Sequence, residues 1–378
     1  IQRGLGLIST LVLARLLTPE DFGIVAIATL ILYFFEKFTN TGTNVYILQK
    51  DSVSDADLNT AWTLDVLLKL LVWLVLIISA PWLAEFYDNP KLESVVVVFS
   101  FILLIRGFTN PGLLLLRKHF QYQKIFTVSV WQKFLSFIVV ITIAYLYQTY
   151  WAMIIGELVF FSVLLIASYI IHQHRPKFTL AEVGEQWQFS KWVLGKGFVG
   201  FIKGQLDTLL VSKLFPAAEL GKYHVNRHIA TMPSQQIIIP ALEPIISALS
   251  KSKTDNHAFA YQFNLCLFTF ALAIFPISAF MWFFPQQIVL VLLGEQWQDT
   301  YGILAALSLL VSAFAIGQLV NKCFLALGKT KALFFYDIVS LVILVATLLS
   351  LASPSLETFA LVRGGMEVVL VVLLIVWL

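Results

Sequence analysis

Charged residues are scarce in this chain. Asp, Glu, Lys and Arg make up 12% of its 378 residues, whereas hydrophobic residues make up 59%. A soluble domain carries about 25% charged residues. The mean hydropathy of this chain is +0.85. The low charge content excludes an ordinary soluble domain and predicts an integral membrane protein.

Cysteines and net charge are also low, and each absence excludes a class of protein. The two cysteines, Cys266 and Cys323, lie in apolar segments, and two thiols are too few for a disulfide framework or a zinc cluster. The net charge of +3 arises from dispersed basic residues, so we predict no nucleic-acid partner and no metal site. The chain lacks an initiating Met and stops within an apolar run, so we expect both ends to be truncated.

Long apolar runs separated by short polar turns dominate the sequence. A helix needs about 20 residues to cross the hydrocarbon core of a bilayer, and we predict twelve such spans. Barrel strands are excluded because the runs are too long and do not alternate. The predicted fold is therefore an all-α integral membrane bundle. The spans are 1–17, 22–48, 61–83, 94–116, 125–146, 150–171, 189–215, 220–249, 258–284, 301–327, 332–351 and 356–378.

The charges of the loops predict the orientation. Loops after the even-numbered spans hold ten cations, and the opposite loops hold four. The positive-inside rule places the ten-cation side, and therefore both termini, in the cytoplasm. The ten are Lys50, Arg117, Lys118, Lys124, Arg175, Lys177, Lys251, Lys253, Lys329 and Lys331; the four are Arg15, Lys91, Lys213 and Lys222.

An internal repeat predicts two related halves. The segment LARLLTPEDFG at 13–23 has a weak second copy, VSKLFPAAELG, at 211–221, and the copies lie six spans apart. Such repeats are common in secondary transporters, where they flank a site near the middle of the membrane. We predict two parallel six-helix pseudo-repeats around a central cavity. They are an N-terminal lobe 1–171, a cytoplasmic linker 172–188 with a short interfacial helix near 180–187, and a C-terminal lobe 189–378.

Ionisable residues within the spans are the candidate functional residues, because each is costly in lipid and is expected to face a cavity or a partner. The cations outnumber the acids, which predicts an anionic ligand, and diphosphate is the natural candidate for Lys and Arg. We predict substrate-binding roles for Lys37, Asn40, Arg106, Lys133, Lys196, Lys203, Arg227 and Lys322, ion-coupling roles for Glu36, Asp207 and Glu243, and no catalytic residues.

Several of these intramembrane charges have structural explanations that involve no ligand. Lys203 and Asp207 lie on one stripe of the seventh span and could form an ion pair that seals the bundle. Long basic side chains near helix ends can extend to the interface, as Lys133 and Lys322 could do. Two pairs with a spacing of four, Asp65 with Lys69 and Arg363 with Glu367, are expected to neutralise each other.

Three segments resemble one transporter family. They are LVLARLLTPEDFGIVAIA, LLVSKLFPAAELGKYHVNRHIATMP and VLLGEQWQDTYGILAAL, and they are similar to the polysaccharide transport family of oligosaccharide flippases, within the multidrug/oligosaccharidyl-lipid/polysaccharide exporter superfamily. The resemblance implies two six-helix lobes, a cationic cavity, and transfer of an undecaprenyl diphosphate-linked oligosaccharide across the bacterial inner membrane. It also implies membrane lipids, a polysaccharide polymerase and glycosyltransferases as partners. No cofactor is expected, although coupling to a H+ or Na+ gradient fits the acids.

Two other classes of membrane protein could have a sequence as apolar as this one. A membrane-embedded enzyme would need a large polar loop that carries acids or bases, but the longest loop here is the predicted linker, 172–188. An ion-coupled exporter of small molecules has the same architecture and stays open as the alternative.

Overall fold

The structure is a computed structural model that describes residues 2–40, 42–238, 242, 255–351 and 354–377. All regular secondary structure in these ranges is helical. By length and composition, seven of the described helices could cross a membrane, or eight if one sharply bent pair counts as a single span. The all-α membrane class is confirmed. The chain forms two compact units, residues 1–220 and 221–378.

The first unit contains nine complete helices in its described residues, and two predicted spans are broken. The second predicted span is divided between α2 and α3, and the fourth is divided between α5 and α6, which meet at an angle of 62°. The helices are α1 (Gln2–Leu16), α2 (Pro19–Lys37), α3 (Thr43–Gln49), α4 (Asp55–Phe86), α5 (Lys91–Gly107), α6 (Gly112–Lys118), α7 (Tyr122–Tyr147), α8 (Trp151–Ile171) and α9 (Val183–Leu214).

The repeated turn at 13–23 has a structural role. Thr18 caps α2 in a capping box with Asp21, which satisfies backbone donors that a helix start leaves free. The other carboxylate oxygen of Asp21 accepts a hydrogen bond from the backbone N–H of Tyr150 at 3.2 Å. A Cβ atom on Gly23 would collide with the backbone carbonyl of Ala217, in the second copy of the repeat. The two copies therefore meet, and the glycine permits their close approach.

The second unit is built around one deeply buried helix. Helix α10 (Ala217–Pro233) crosses the boundary between the units and continues as a π-helical turn, Ser234–Ile238. In the central helix, Tyr301–Ala326, 72% of an apolar 18-residue window is buried. The remaining helices are α11 (Asn256–Phe283), α12 (Pro285–Leu292), α13 (Tyr301–Ala326), α14 (Thr330–Leu349) and α15 (Leu356–Trp377), with a 3-10 turn at Glu295–Thr300.

The linker differs from its prediction. Residues 172–180 have no regular secondary structure, and the segment expected to form a separate interfacial helix instead includes the first turn of α9. The physical reason is a set of hydrogen bonds from the linker to polar side chains near the start of α4. The backbone N–H groups of Lys177 and Thr179 donate to Asn59 and Thr63, respectively, each at 3.0 Å. The division into lobes at 171 and 189 stays a prediction.

Candidate functional site

A cavity of about 250 Å³ lies within the first unit, next to both helix breaks. The start of α3 contributes Thr43 and Asn44, and the break between α5 and α6 contributes Thr109, Asn110 and Pro111. Broken helices at membrane depth free backbone polar groups, which are tolerated where they line a cavity. The other lining residues are Ala61, Trp62, Asp65, Lys69, Arg106, Leu113, Leu114, Arg117 and Leu164.

The walls of the cavity carry more positive than negative charge. Lys69, Arg106 and Arg117 line it, against the single acid Asp65. The Lys69 Nζ atom lies 2.6 Å from an Asp65 carboxylate oxygen, so the predicted pair on α4 is confirmed. Lys69 is nonetheless among the residues that face the cavity, although it is 8% exposed overall.

Arg106 is fixed from two sides. One guanidinium nitrogen lies 2.7 Å from a carboxylate oxygen of Glu36, which comes from the last turn of α2. The guanidinium group also lies over the ring of Phe161 on α8, at 4.9 Å from the ring centroid. A carboxylate and an aromatic face together orient a planar guanidinium. Arg106 therefore presents a defined face to the cavity.

A second acid on α8 extends this charged cluster. Glu157 is within electrostatic reach of Lys133 on α7, and also of Arg106. Lys133 packs against the N-terminal helix, because a Cβ atom on Gly6 would lie 3.6 Å from its Cε atom. The first unit thus brings together Glu36, Arg106 and Lys133, which sequence spacing alone could not connect.

The linker covers the N-terminal end of α4. The ring of Phe178 packs at a tilt of 53° against the cavity residue Trp62, with 4.8 Å between centroids. The side-chain amide of Asn110 donates to the backbone carbonyl of His174 at 2.7 Å. Two cavity residues are therefore fixed by the linker, which couples the position of this segment to the shape of the site.

The structure locates the other predicted site residues of the first unit as follows. The Lys37 Nζ atom lies 5.9 Å from the ring centroid of Phe201, and Asn40 is exposed beyond the end of α2. On α9, Lys203 is half-buried and Asp207 is buried. Among the predicted residues, only Arg106 lines the described cavity.

The remaining predicted residues lie elsewhere or outside the description. In the second unit, Arg227 on α10 and Lys322 on α13 are half-buried. Glu243 and the side chain of Lys196 lie outside the described residues. The roles assigned to all these residues stay predictions.

Sequence reasoning missed part of the cavity wall. Lys69 was set aside as neutralised by Asp65, and Arg117 was counted only as a loop cation, yet both line the cavity. A signal for the break was present, since the dipeptide Asn110-Pro111 is typical of turns. Among the described residues, no group of three His, Cys, Asp or Glu side chains is arranged to bind a metal ion.

The fold and the charged intramembrane cavity define a multi-pass membrane transporter rather than an enzyme. Residues 12–302 match the family described as polysaccharide biosynthesis protein, and the chain belongs to that family. The predicted resemblance is confirmed.

Two curated relatives illustrate the family. The chain is 21% identical over 339 residues to the lipopolysaccharide biosynthesis protein WzxC of Escherichia coli K12, which covers 89% of this chain and 69% of the relative. It is 22% identical over 309 residues to the succinoglycan biosynthesis transport protein ExoT of Rhizobium meliloti. That alignment covers 81% of this chain and 62% of the relative. This chain thus spans about two thirds of the length of these relatives.

Two solved structures share the fold. The lipid II flippase MurJ in an inward closed conformation superimposes with a TM-score of 0.79 at 15% identity, covering 100% of this chain and 85% of that one. An inward-facing multidrug resistance transporter of the MATE family has a TM-score of 0.71 at 13% identity, covering 100% of this chain and 93% of that one. At such identities the likeness is one of fold.

Proposed function

We propose that this protein is a flippase that translocates a polyprenyl diphosphate-linked oligosaccharide across the bacterial inner membrane for the export of a cell-surface polysaccharide. The observation that carries the proposal is the cavity with three cations and one acid within the spanning region of the first unit. The named roles of the family relatives in lipopolysaccharide and succinoglycan biosynthesis support it.

The physical requirement matches the site. A sugar headgroup with a diphosphate cannot enter hydrocarbon unaided, because each unsatisfied polar group costs several kcal/mol there. Lys69, Arg106 and Arg117 supply charge-assisted hydrogen bonds for diphosphate oxygens, and Thr43, Asn44 and other polar residues supply partners for hydroxyl groups. The prenyl tail stays in lipid while the headgroup crosses in a polar environment. The cavity lowers the barrier for the polar part alone.

The proposal includes the orientation, the protein partners and the energy source that were predicted from the sequence. Both termini and the ten-cation loops face the cytoplasm, and a polymerase and glycosyltransferases act before or after translocation. A gradient of H+ or Na+ drives the cycle through the predicted coupling acids, among which Glu36 contacts the cavity residue Arg106. Rocking of the transporter between two conformations exposes the headgroup to one side at a time.

One other function has an observation in its favour. The fold is shared with a multidrug transporter, and the cavity contains a carboxylate, Asp65, that could attract a cationic drug. The three cations disfavour this function, since they would repel such a substrate. Uptake of a cationic dye such as ethidium by vesicles that contain the protein would support the exporter instead.

The test is translocation in reconstituted vesicles. A fluorescent lipid-linked oligosaccharide is placed in both leaflets, and an external quencher that cannot cross the membrane reports the fraction of headgroups that move. The wild-type protein should move them, and the double variant Lys69→Gln/Arg106→Gln should not. Lys331→Gln, which changes a lysine outside the cavity, is the matched control. Equal translocation by the double variant and the wild type would overturn the proposal.

A further inference from the structure

The pair formed by Glu36 and Arg106 differs from the other ion pair at the cavity. Asp65 and Lys69 lie four residues apart on the continuous helix α4, and both line the cavity. Glu36 instead reaches Arg106 from another helix and is not among the lining residues. Its carboxylate therefore contacts a cavity residue without lining the cavity itself.

The pair also has an electrostatic consequence for the empty site. A guanidinium group at membrane depth is costly without a counter-ion. Glu36 supplies that counter-ion at 2.7 Å, and its side chain is 17% exposed, against 30% for Arg106. Glu157 is also within reach of Arg106, but its larger interaction is with Lys133. Glu36 is thus the main carboxylate partner of Arg106.

A diphosphate would compete with this carboxylate. Phosphate oxygens bind a guanidinium group best through two parallel N–H donors, and the nitrogen that contacts Glu36 belongs to such a pair. The ring of Phe161 covers one face of the guanidinium plane, so the in-plane donors are the ones left for an anion. A ligand that takes both terminal nitrogens competes with the Glu36 carboxylate for the N–H donors of the nitrogen that they share.

The chain around Glu36 is suited to such a displacement. Glu36 is one residue from the end of α2, and the segment from Phe38 to Gly42 separates α2 from α3. Gly42 has a φ of 72°, a left-handed conformation that glycine adopts at little cost. Asp65 has no comparable break beside it, because α4 is continuous from Asp55 to Phe86.

We infer that Glu36 is a resident counter-ion of Arg106, which a diphosphate headgroup displaces when it binds and which in turn displaces the headgroup at release. The inference rests on the proposed function and adds a positioning residue to it. Glu36 keeps the guanidinium group neutralised and oriented in the empty site. It also limits the affinity for the headgroup, so that the product can leave.

The test separates affinity from turnover. Purified wild type, Glu36→Gln and Arg106→Gln are titrated with inorganic pyrophosphate and with farnesyl diphosphate by calorimetry, with inorganic phosphate as a control anion. Glu36→Gln should bind both diphosphates about tenfold more tightly, a change of one charge-assisted contact, and should translocate the lipid-linked oligosaccharide more slowly. Arg106→Gln should lose the binding. A purely structural role of Glu36 would weaken both properties together.

Two further variants serve as controls for this test. Glu367→Gln removes the acid from an equivalent pair with Arg363 in the second unit, where the distance is also 2.7 Å, and should leave diphosphate affinity unchanged. If Glu36→Gln does not fold, Glu36→Asp shortens the side chain by one methylene group and should change affinity in the same direction. Unchanged or weaker diphosphate binding in the folded variant would overturn the inference.

The two proposals can fail separately. If the wild type does not translocate the oligosaccharide but Glu36→Gln binds pyrophosphate more tightly, the proposed function is wrong and the counter-ion role stands for another diphosphate. If the wild type translocates the lipid-linked oligosaccharide and the variant has unaltered affinity and rate, only the counter-ion role is wrong.

Discussion

The two units of the chain differ in how their cations are paired. In the second unit, Arg363 is paired with Glu367 on the same helix at 2.7 Å, and Lys222 is paired with Asp299 at 2.5 Å. Glycine and alanine contacts pack its central helix, α13, tightly against α15. In the first unit, the cation Arg117 lines an open cavity and forms no ion pair within the described part of the chain.

Paired charges and a surplus of cations have different consequences for stability and for transport. A local pair of opposite charges reduces the cost of burying each group and leaves little charge for a ligand. A surplus of cations beside a cavity has the opposite effect, because the cost of the uncompensated charge is recovered only when an anion binds. Substitution of the cavity charges of the first unit should therefore change transport, whereas substitution of the Arg363 and Glu367 pair of the second unit should change stability alone.

Replacing each arginine and its acid together gives the largest expected contrast. Arg106→Met/Glu36→Met removes both charges in the first unit, and Arg363→Met/Glu367→Met does so in the second. Replacing a buried pair by apolar residues of similar volume is often neutral for stability. Both doubles should therefore melt near the wild-type temperature, but only the first should lose translocation, by about tenfold or more.

The single variants sharpen this contrast. Arg363→Met leaves Glu367 in the membrane without its partner and should lower stability by about 1–3 kcal/mol, measured as thermal unfolding in detergent. Its double with Glu367→Met should recover that loss. Retained translocation in the Arg106 double, or lost translocation in the Arg363 double, would remove the distinction between the units.

Two adjacent glycines in the second unit test its tight packing with smaller effects. A Cβ atom on Gly364 would lie 2.8 Å from the backbone carbonyl oxygen of Ala306, whereas Gly365 has no neighbouring atom within 4 Å. Gly364→Ala should therefore lower stability by about 1–3 kcal/mol because the helices must separate. Gly365→Ala should be neutral or stabilising by up to about 1 kcal/mol, because alanine favours the helix. Equal melting temperatures would contradict the close contact.

The same comparison shows what the sequence could predict. Asp65 with Lys69 and Arg363 with Glu367 were predicted as pairs, because a spacing of four places both side chains on one face of a helix. Glu36 and Arg106 are seventy residues apart, and no local rule connects them. The helix class and most spans followed from the length of the apolar runs.

The cavity itself could be predicted only in part. Of the lining residues, Arg106 is predicted from the sequence as a substrate-binding intramembrane charge. The breaks that expose these residues depend on tertiary contacts, such as the hydrogen bond from Asn110 to the linker at His174. Because the linker was expected to be partly helical, its extended course along α4 was missed. Long-range packing, rather than local propensity, determines the helix breaks and the course of the linker.

The smallest expected effect on stability comes from the linker, and it depends on pH. The ring of His172 lies so close to Gly112 that a Cβ atom there would collide with it. Burial, followed by the positive charges of His174, Lys124 and Arg175, lowers the pKa of His172 from its ordinary value of 6.5. As the pH falls below 6.5, the unfolded chain binds the proton first, so this group reduces stability at acidic pH. The first unit should therefore be most stable above that pH.

The variant His172→Asn isolates this contribution. The His172 Nδ1 atom accepts a hydrogen bond from the backbone N–H of His174 at 3.1 Å, and an asparagine side-chain oxygen can replace that acceptor. Other titrating groups, such as Asp55 beside His174, are common to both proteins. Thermal unfolding from about pH 8 to about pH 5 should show that the wild type loses more stability than the variant. Parallel curves would mean that folding does not lower the pKa of His172, which would contradict its burial.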